Sequence, residues 1–98
     1  MAYSFSFALA AEEHLARLSA RDRAMVLAAI KGKLTHEPNS PARNRKPLQP
    51  NNLAEWELRV GEFRVYYDLD LVEKLVLVKA VGVKNRDQVW IGGERVDL

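Results

Sequence analysis

The chain has 98 residues, 48% of them hydrophobic, no cysteine and a net charge of +2. That length reads as a single domain over 1–98. The lack of cysteine excludes a disulfide scaffold, a thiolate metal site and a cysteine nucleophile, and it fits a cytoplasmic protein. No apolar run reaches the roughly 18 residues of a membrane span, and Glu12, Glu13 and His14 break the first apolar run too early for a signal peptide.

Tyr3 to Leu9 alternates, with Tyr3, Phe5 and Phe7 on one face and Ser4 and Ser6 on the other, which predicts a first strand. From about Ala10 the period changes. Ala11, Leu15 and Leu18 form one apolar stripe, the mark of a short helix. Ser19 followed three residues later by Asp22 has capping-box spacing and starts a second helix, whose apolar face is Met25, Val26, Leu27, Ile30 and Leu34. Such a helical hairpin needs a sheet to cover.

The segment from His36 to Asn52 holds four prolines and four asparagines, and neither a helix nor a central strand tolerates that content. Whether it is a structured or a mobile loop stays open at this point. It also carries most of a basic patch. From Lys31 to Pro50 the cations Lys31, Lys33, Arg43, Arg45 and Lys46 stand against Glu37 alone. A patch of this kind is either a solvated loop or an attractor of phosphate backbones.

The sheet follows. Ala54, Trp56, Leu58 and Val60 alternate with Glu55, Glu57 and Arg59, and Gly61-Glu62 fits a two-residue type II′ turn. Phe63, Val65, Tyr67 and Leu69 then alternate with Arg64, Tyr66 and Asp68. A two-residue turn sets Arg59 opposite Arg64 and Glu57 opposite Tyr66. Like charges directly opposed destabilise a sheet, so either a neighbour neutralises the arginines or an anion is meant to sit between them. Leu75 to Val83 is apolar on both faces, as a central strand is, with Lys79 as the exception and Gly82 marking a bulge or a close backbone approach. Val89, Trp90 and Ile91 make a short last strand, and Gly92-Gly93 turns into a polar tail. The order β-α-α-β-β-β-β gives an α+β fold, with an N-terminal strand and a helical hairpin packed on one face of a mainly antiparallel four- to five-stranded sheet.

The opposite face is free to bind. Arg59 and Arg64 can fork a phosphate, Tyr66 and Trp90 can stack on bases, Lys79 and Lys84 add positive charge, and Glu57 can accept a proton. The bland counterpart is an exposed surface pair of Glu57 with Arg59 or Arg64, worth about 0–1 kcal/mol. His14, beside two glutamates, reads as a solvated helix face, and His36 is a weak acid–base candidate. The two histidines have no metal-ligand spacing.

The stretches "WELRVGEFRVYYDLD", "LVLVKAVGV" and "KNRDQVW", together with "LTHEPNSPARNRKPLQPNNLAEWELR" before them, resemble the RelE/ParE superfamily of type II toxin–antitoxin toxins over nearly the whole chain. The resemblance implies one of two activities. RelE-like members cut mRNA in the ribosomal A site by attack of the 2′-hydroxyl, with no metal or other cofactor, whereas ParE-like members poison DNA gyrase. An inactive relative that only binds is a third alternative. Either toxin implies a cognate antitoxin protein as partner, a cytoplasmic location and no membrane.

Carried over residue by residue, the resemblance makes Arg64 the stabiliser of the scissile phosphate. Lys84 falls where an arginine often follows the fourth strand, and Trp90 lies near a C-terminal tyrosine that stacks or activates, although it lacks the phenol. Glu55 and Glu57 stand near positions that are lysines in the best-known RelE-type site, which reverses the charge there. Glu57 then serves as a general base, as a glutamate does in some superfamily nucleases. The catalytic set implied is Arg64, Glu57, Lys84 and Trp90. The substrate-binding set is Arg59, Tyr66, Arg43, Arg45, Lys46 and Arg86, with Lys46 or His36 as proton donor.

Overall fold

In the computed structural model, which describes residues 2–97, the Ser19 hydroxyl accepts the Asp22 N–H at 3.1 Å and starts a helix where the spacing predicts one. The chain runs β1 (Ser4–Phe7), α1 (Leu9–Ala16), α2 (Ala20–Leu34), β2 (Arg45–Pro47), β3 (Trp56–Val60), β4 (Phe63–Asp70), β5 (Leu75–Asn85), β6 (Gln88–Ile91) and β7 (Glu94–Val96). Arg23 closes the helical hairpin. Its Nε donates to Leu15 O at 3.0 Å in the last turn of α1 and an Nη to Leu18 O at 3.0 Å in the link, so a cation ties the end of α1 to the start of α2.

The strands form one seven-stranded sheet of order β2-β3-β4-β5-β6-β7, with β1 added in parallel to β5. The sheet is larger than the four to five strands expected, because two three-residue strands extend it. One is β2, inside the proline-rich loop, and the other is β7, in the polar tail. The hairpin register is the expected one. Arg59 faces Arg64, Glu57 faces Tyr66, and Gly61 takes φ +58 in the turn.

Alternation then sorts the side chains. Leu58, Phe63, Val65, Tyr67, Val76, Val78 and Val81 pack with Val26, Ile30 and Leu34 of α2 in the main core. A smaller cluster of Ala54, Tyr66 and Ala80, with Leu48, Leu53, Val89 and Ile91, lies apart from it. At Gly82 a Cβ would stand 2.8 Å from Ile91 Cγ1 and 2.9 Å from Trp90 O, so the glycine marks a close approach of β6. The bulge lies elsewhere in β5, where the register against β4 skips Lys79.

The proline-rich loop is structured. Tyr67 Oη donates to Pro38 O at 2.7 Å, Arg45 Nε to Ser40 O at 2.7 Å and Arg59 N to Asn44 O at 2.6 Å. Asn51 Oδ1 accepts the N–H groups of Leu53 and Ala54 in an Asx turn. These tethers bring β2 alongside β3 with Lys46 opposite Glu57.

His14 is not on a solvated face. Along one edge of β5, β1 ends at Val78 and β6 begins at Gly82. The His14 Nδ1 accepts the Val81 N–H at 3.2 Å within that gap. Burial first, and then Arg17, hold its pKa below the ordinary 6.5, while Glu13 opposes them.

Candidate functional site

The face of the sheet away from the helices carries a cleft of about 500 Å³. Its floor is the β3–β4 hairpin, which contributes Glu57, Arg59, Arg64 and Tyr66. The proline-rich loop supplies Arg43 and Lys46 to its rim, β5 supplies Lys84, and the C-terminal strand supplies Arg95. Among the lining residues seven are cationic and three are acidic, a local excess twice that of the whole chain. Low-dielectric walls focus such a field on an incoming anion.

The opposed arginines resolve their conflict by burial and direction. Arg59 is exposed, whereas Arg64 is only 5% exposed, and one of its Nη atoms donates to both Gly61 O and Phe63 O at 2.8 Å. Those carbonyls hold the guanidinium in place and leave its other donors uncommitted among the described residues. A fixed guanidinium with free N–H groups on a cleft floor is suited to a phosphate.

Glu57 is buried at 8% exposure and pairs with neither arginine. The one ion pair among the described residues joins its Oε1 to Lys46 Nζ at 3.9 Å. The pairing is cross-strand, through the β2–β3 register, and so depends on the loop.

Five residues expected in the site sit differently. Tyr66 is fully buried, enclosed by Ala54 and Ala80 with Leu48 and Leu53, so its ring has no free face on which a base can stack. Burial first, and then the Glu57 carboxylate, raise its phenol well above the ordinary range, with Arg64 pulling the other way. The hydroxyl is within coupling reach of the Glu57 carboxylate beside it, but meets neither that group nor any other described residue in full hydrogen-bond geometry.

Trp90 does not line the cleft. Register sets it opposite Val83, which packs against the main core, while its neighbour Val89 lies opposite Lys84 and does line the cleft. Arg45 touches the cleft lining but pairs in register with Leu58, on the core side. Its guanidinium donates to Ser40 O and Lys33 O, so it clips the loop to α2. Arg86 stands with Asp87 in the β5–β6 turn, both at positive φ, and is exposed away from the cleft lining. His36 is likewise exposed and not among the lining residues. Arg95, which the sequence pattern does not single out, joins the lining because the polar tail forms β7.

Among the described residues no helix is long and apolar enough to cross a membrane. Neither the protein-family models nor the curated proteins contain a match to this chain. Among solved structures, the chain is similar to one in the crystal structure of the toxin–antitoxin complex RelBE2 from Mycobacterium tuberculosis. The two are 27% identical, with a TM-score of 0.74, over 86% of this chain and 100% of the other. With the hairpin, the central strand and the helical pair all in the order that the sequence resemblance implies, the chain is a RelE-like member of the RelE/ParE toxin superfamily.

Proposed function

We propose that this chain is the toxin of a type II toxin–antitoxin pair and acts as a ribosome-dependent mRNA endoribonuclease in the cytoplasm, silenced by a cognate antitoxin. The observation that carries the reading is Arg64, buried on the floor of a cationic cleft within the same face as a buried carboxylate, Glu57. The similarity to a chain of a toxin–antitoxin complex supports the antitoxin as partner.

The chemistry is metal-independent. An RNA phosphodiester enters between Arg64, Arg59 and Lys84, whose donors stabilise the charge of the phosphorane. Glu57 takes the proton of the 2′-hydroxyl. The freed oxygen attacks phosphorus, and the bond to the 5′-oxygen breaks. Lys46, beside Glu57, gives a proton to that leaving oxygen and regains one from Glu57. The products are a 2′,3′-cyclic phosphate and a 5′-hydroxyl. Arg43 and Arg95 hold the flanking backbone or ribosomal RNA.

The test is brief induction of wild type and Arg64→Ala in cells, with mRNA ends read by primer extension. The expected result is new 5′ ends inside translated regions, absent in the variant. Growth arrest with intact messages would overturn the nuclease reading and point to DNA gyrase, to be checked by a supercoiling assay. Soluble protein with neither arrest nor cuts would identify an inactive relative.

A further inference from the structure

Tyr66 lines the cleft, and this chemistry gives it no role. It is fully buried and lies directly across the β3–β4 ladder from Glu57. Its other cross-strand neighbour is Ala80, whose small side chain leaves room for the ring. Its hydroxyl makes no hydrogen bond among the described residues, although buried polar groups nearly always find a partner. The neighbouring carboxylate leans instead toward Lys46, at 3.9 Å. Lys46 is itself largely exposed, whereas Glu57 is not. Once an RNA phosphate draws Lys46 toward the leaving oxygen, Glu57 is left as a buried carboxylate without its counter-ion, which is costly.

We propose that Tyr66 is a positioning residue for Glu57, its phenol supplying the hydrogen bond that keeps the carboxylate ionised and aimed at the 2′-hydroxyl when Lys46 engages the substrate. The proposal rests on the nuclease reading above. The phenol suits the task because burial and Glu57 both hold its proton in place, so it stays a donor across the working pH range. The other charged groups lining the cleft are Lys46 and Arg45 from β2, Arg59 on the same strand as Glu57, Arg64 from β4, Lys84 from β5, Arg43 from the loop and Arg95 from β7, with the acids Asp87 from the β5–β6 turn and Asp97 after β7. Replacing any of the cations by a neutral donor would lower the cleft's charge, whereas Tyr66 gives a hydrogen bond and leaves the phosphate field untouched.

The test is Tyr66→Phe, which removes one oxygen and keeps the ring, read in three ways. The variant alone, without ribosomes, should melt at or above the wild-type temperature, because an unpaired hydroxyl is lost. In a Lys46→Ala background, which stands in for the engaged lysine, isotope-edited infrared spectra should show a hydrogen-bonded carboxylate band. That band should disappear on adding either Tyr66→Phe or Glu57→Gln. On programmed ribosomes, Tyr66→Phe should lower kcat about tenfold with KM changed less than about twofold, and should move the acidic limb of the kcat profile up by about one pH unit. An unchanged carboxylate band overturns the proposal, and so does a lower melting temperature with unchanged kcat, which would make Tyr66 a packing residue. If the wild type leaves messages intact the nuclease reading fails by itself, and the infrared comparison still decides whether Tyr66 holds Glu57.

Discussion

Tyr66 and Tyr67 are consecutive on β4, equally buried, and both carry phenols that burial holds above the ordinary range. Tyr67 faces the helices. Its ring stacks on Trp56 with centroids 6.1 Å apart and planes 16° from parallel, and its hydroxyl is satisfied by Pro38 O at 2.7 Å. Tyr66 faces the cleft, and its hydroxyl is unsatisfied among the described residues. The same contrast holds for the two faces as wholes. One is closed by apolar packing and tethered polar groups. The other leaves a phenol, a carboxylate and a buried guanidinium together. Cations also concentrate there, so the remainder of this chain is net acidic although the whole is +2. Consistency at every level specifies a fold, and the departures gather where a ligand is to bind.

The largest expected effect separates the two faces by activity. Arg64→Ala removes the guanidinium from the cleft floor and should cut mRNA cleavage on programmed ribosomes by about a hundred- to a thousand-fold, the usual loss for one preorganised donor. Arg64→Lys keeps the charge but not the planar fork and should recover only part of it. Wild-type cleavage by Arg64→Ala would break the comparison, since the cleft face would then be no more than surface.

Gly82→Ala tests whether the β5–β6 pair beside the cleft is as tightly built as the core. Its added Cβ meets both a β6 side chain and the Trp90 carbonyl at under 3 Å. Overpacking of this kind should cost about 1–3 kcal/mol, and a thermal melt should fall by about 4–8 °C for each of them in a domain of this size. An unchanged melt would mean that β6 moves freely.

The tyrosine pair itself gives the sharpest contrast. Tyr67→Phe strands the Pro38 carbonyl and should cost about 1–3 kcal/mol. Its damage should extend to cleavage, because that tether helps to seat the loop that delivers Lys46. Tyr66→Phe should be neutral or stabilising. Equal melts for the two variants would erase the distinction between a satisfied and an unsatisfied hydroxyl.

How much of this was legible follows from how local each signal is. The opposed arginines and the Glu57–Tyr66 pair were readable, because a period of two and one glycine turn fix the register over ten residues. The face of Trp90 was readable too, had Arg86-Asp87 been taken as a two-residue turn that sets Lys84 against Val89. The fate of the proline-rich loop was not readable. Its anchors are a tyrosine 29 residues away, an arginine that bonds carbonyls on two different segments, and a three-residue strand with no pattern of its own. The burial of Tyr66 was hidden for a related reason. Alternation assigns a face, but the residues that cover that face come from the loop and from the alanines opposite. Arg95 was missed because three residues are too few to show alternation.

The smallest effect concerns a contact that belongs to neither face. His14 caps the Val81 N–H where β1 has ended and β6 has not begun, and it can do so only while Nδ1 is unprotonated. Its pKa in the folded chain lies below the unfolded value of 6.5, so between those two values the unfolded chain binds more protons and stability rises with pH. The contribution of His14 is therefore complete above about pH 6.5 and is lost as pH falls through the lowered folded value. Thermal melts of wild type and His14→Gln, at pH 7.5 and pH 5, should differ in slope, with the wild type losing more on acidification. Parallel slopes would mean that the gap in the β5 edge is capped without the imidazole's lone pair. If the slopes differ while cleavage by the two proteins stays matched at neutral pH, His14 belongs to the seating of α1 on the sheet and the cleft chemistry is independent of it.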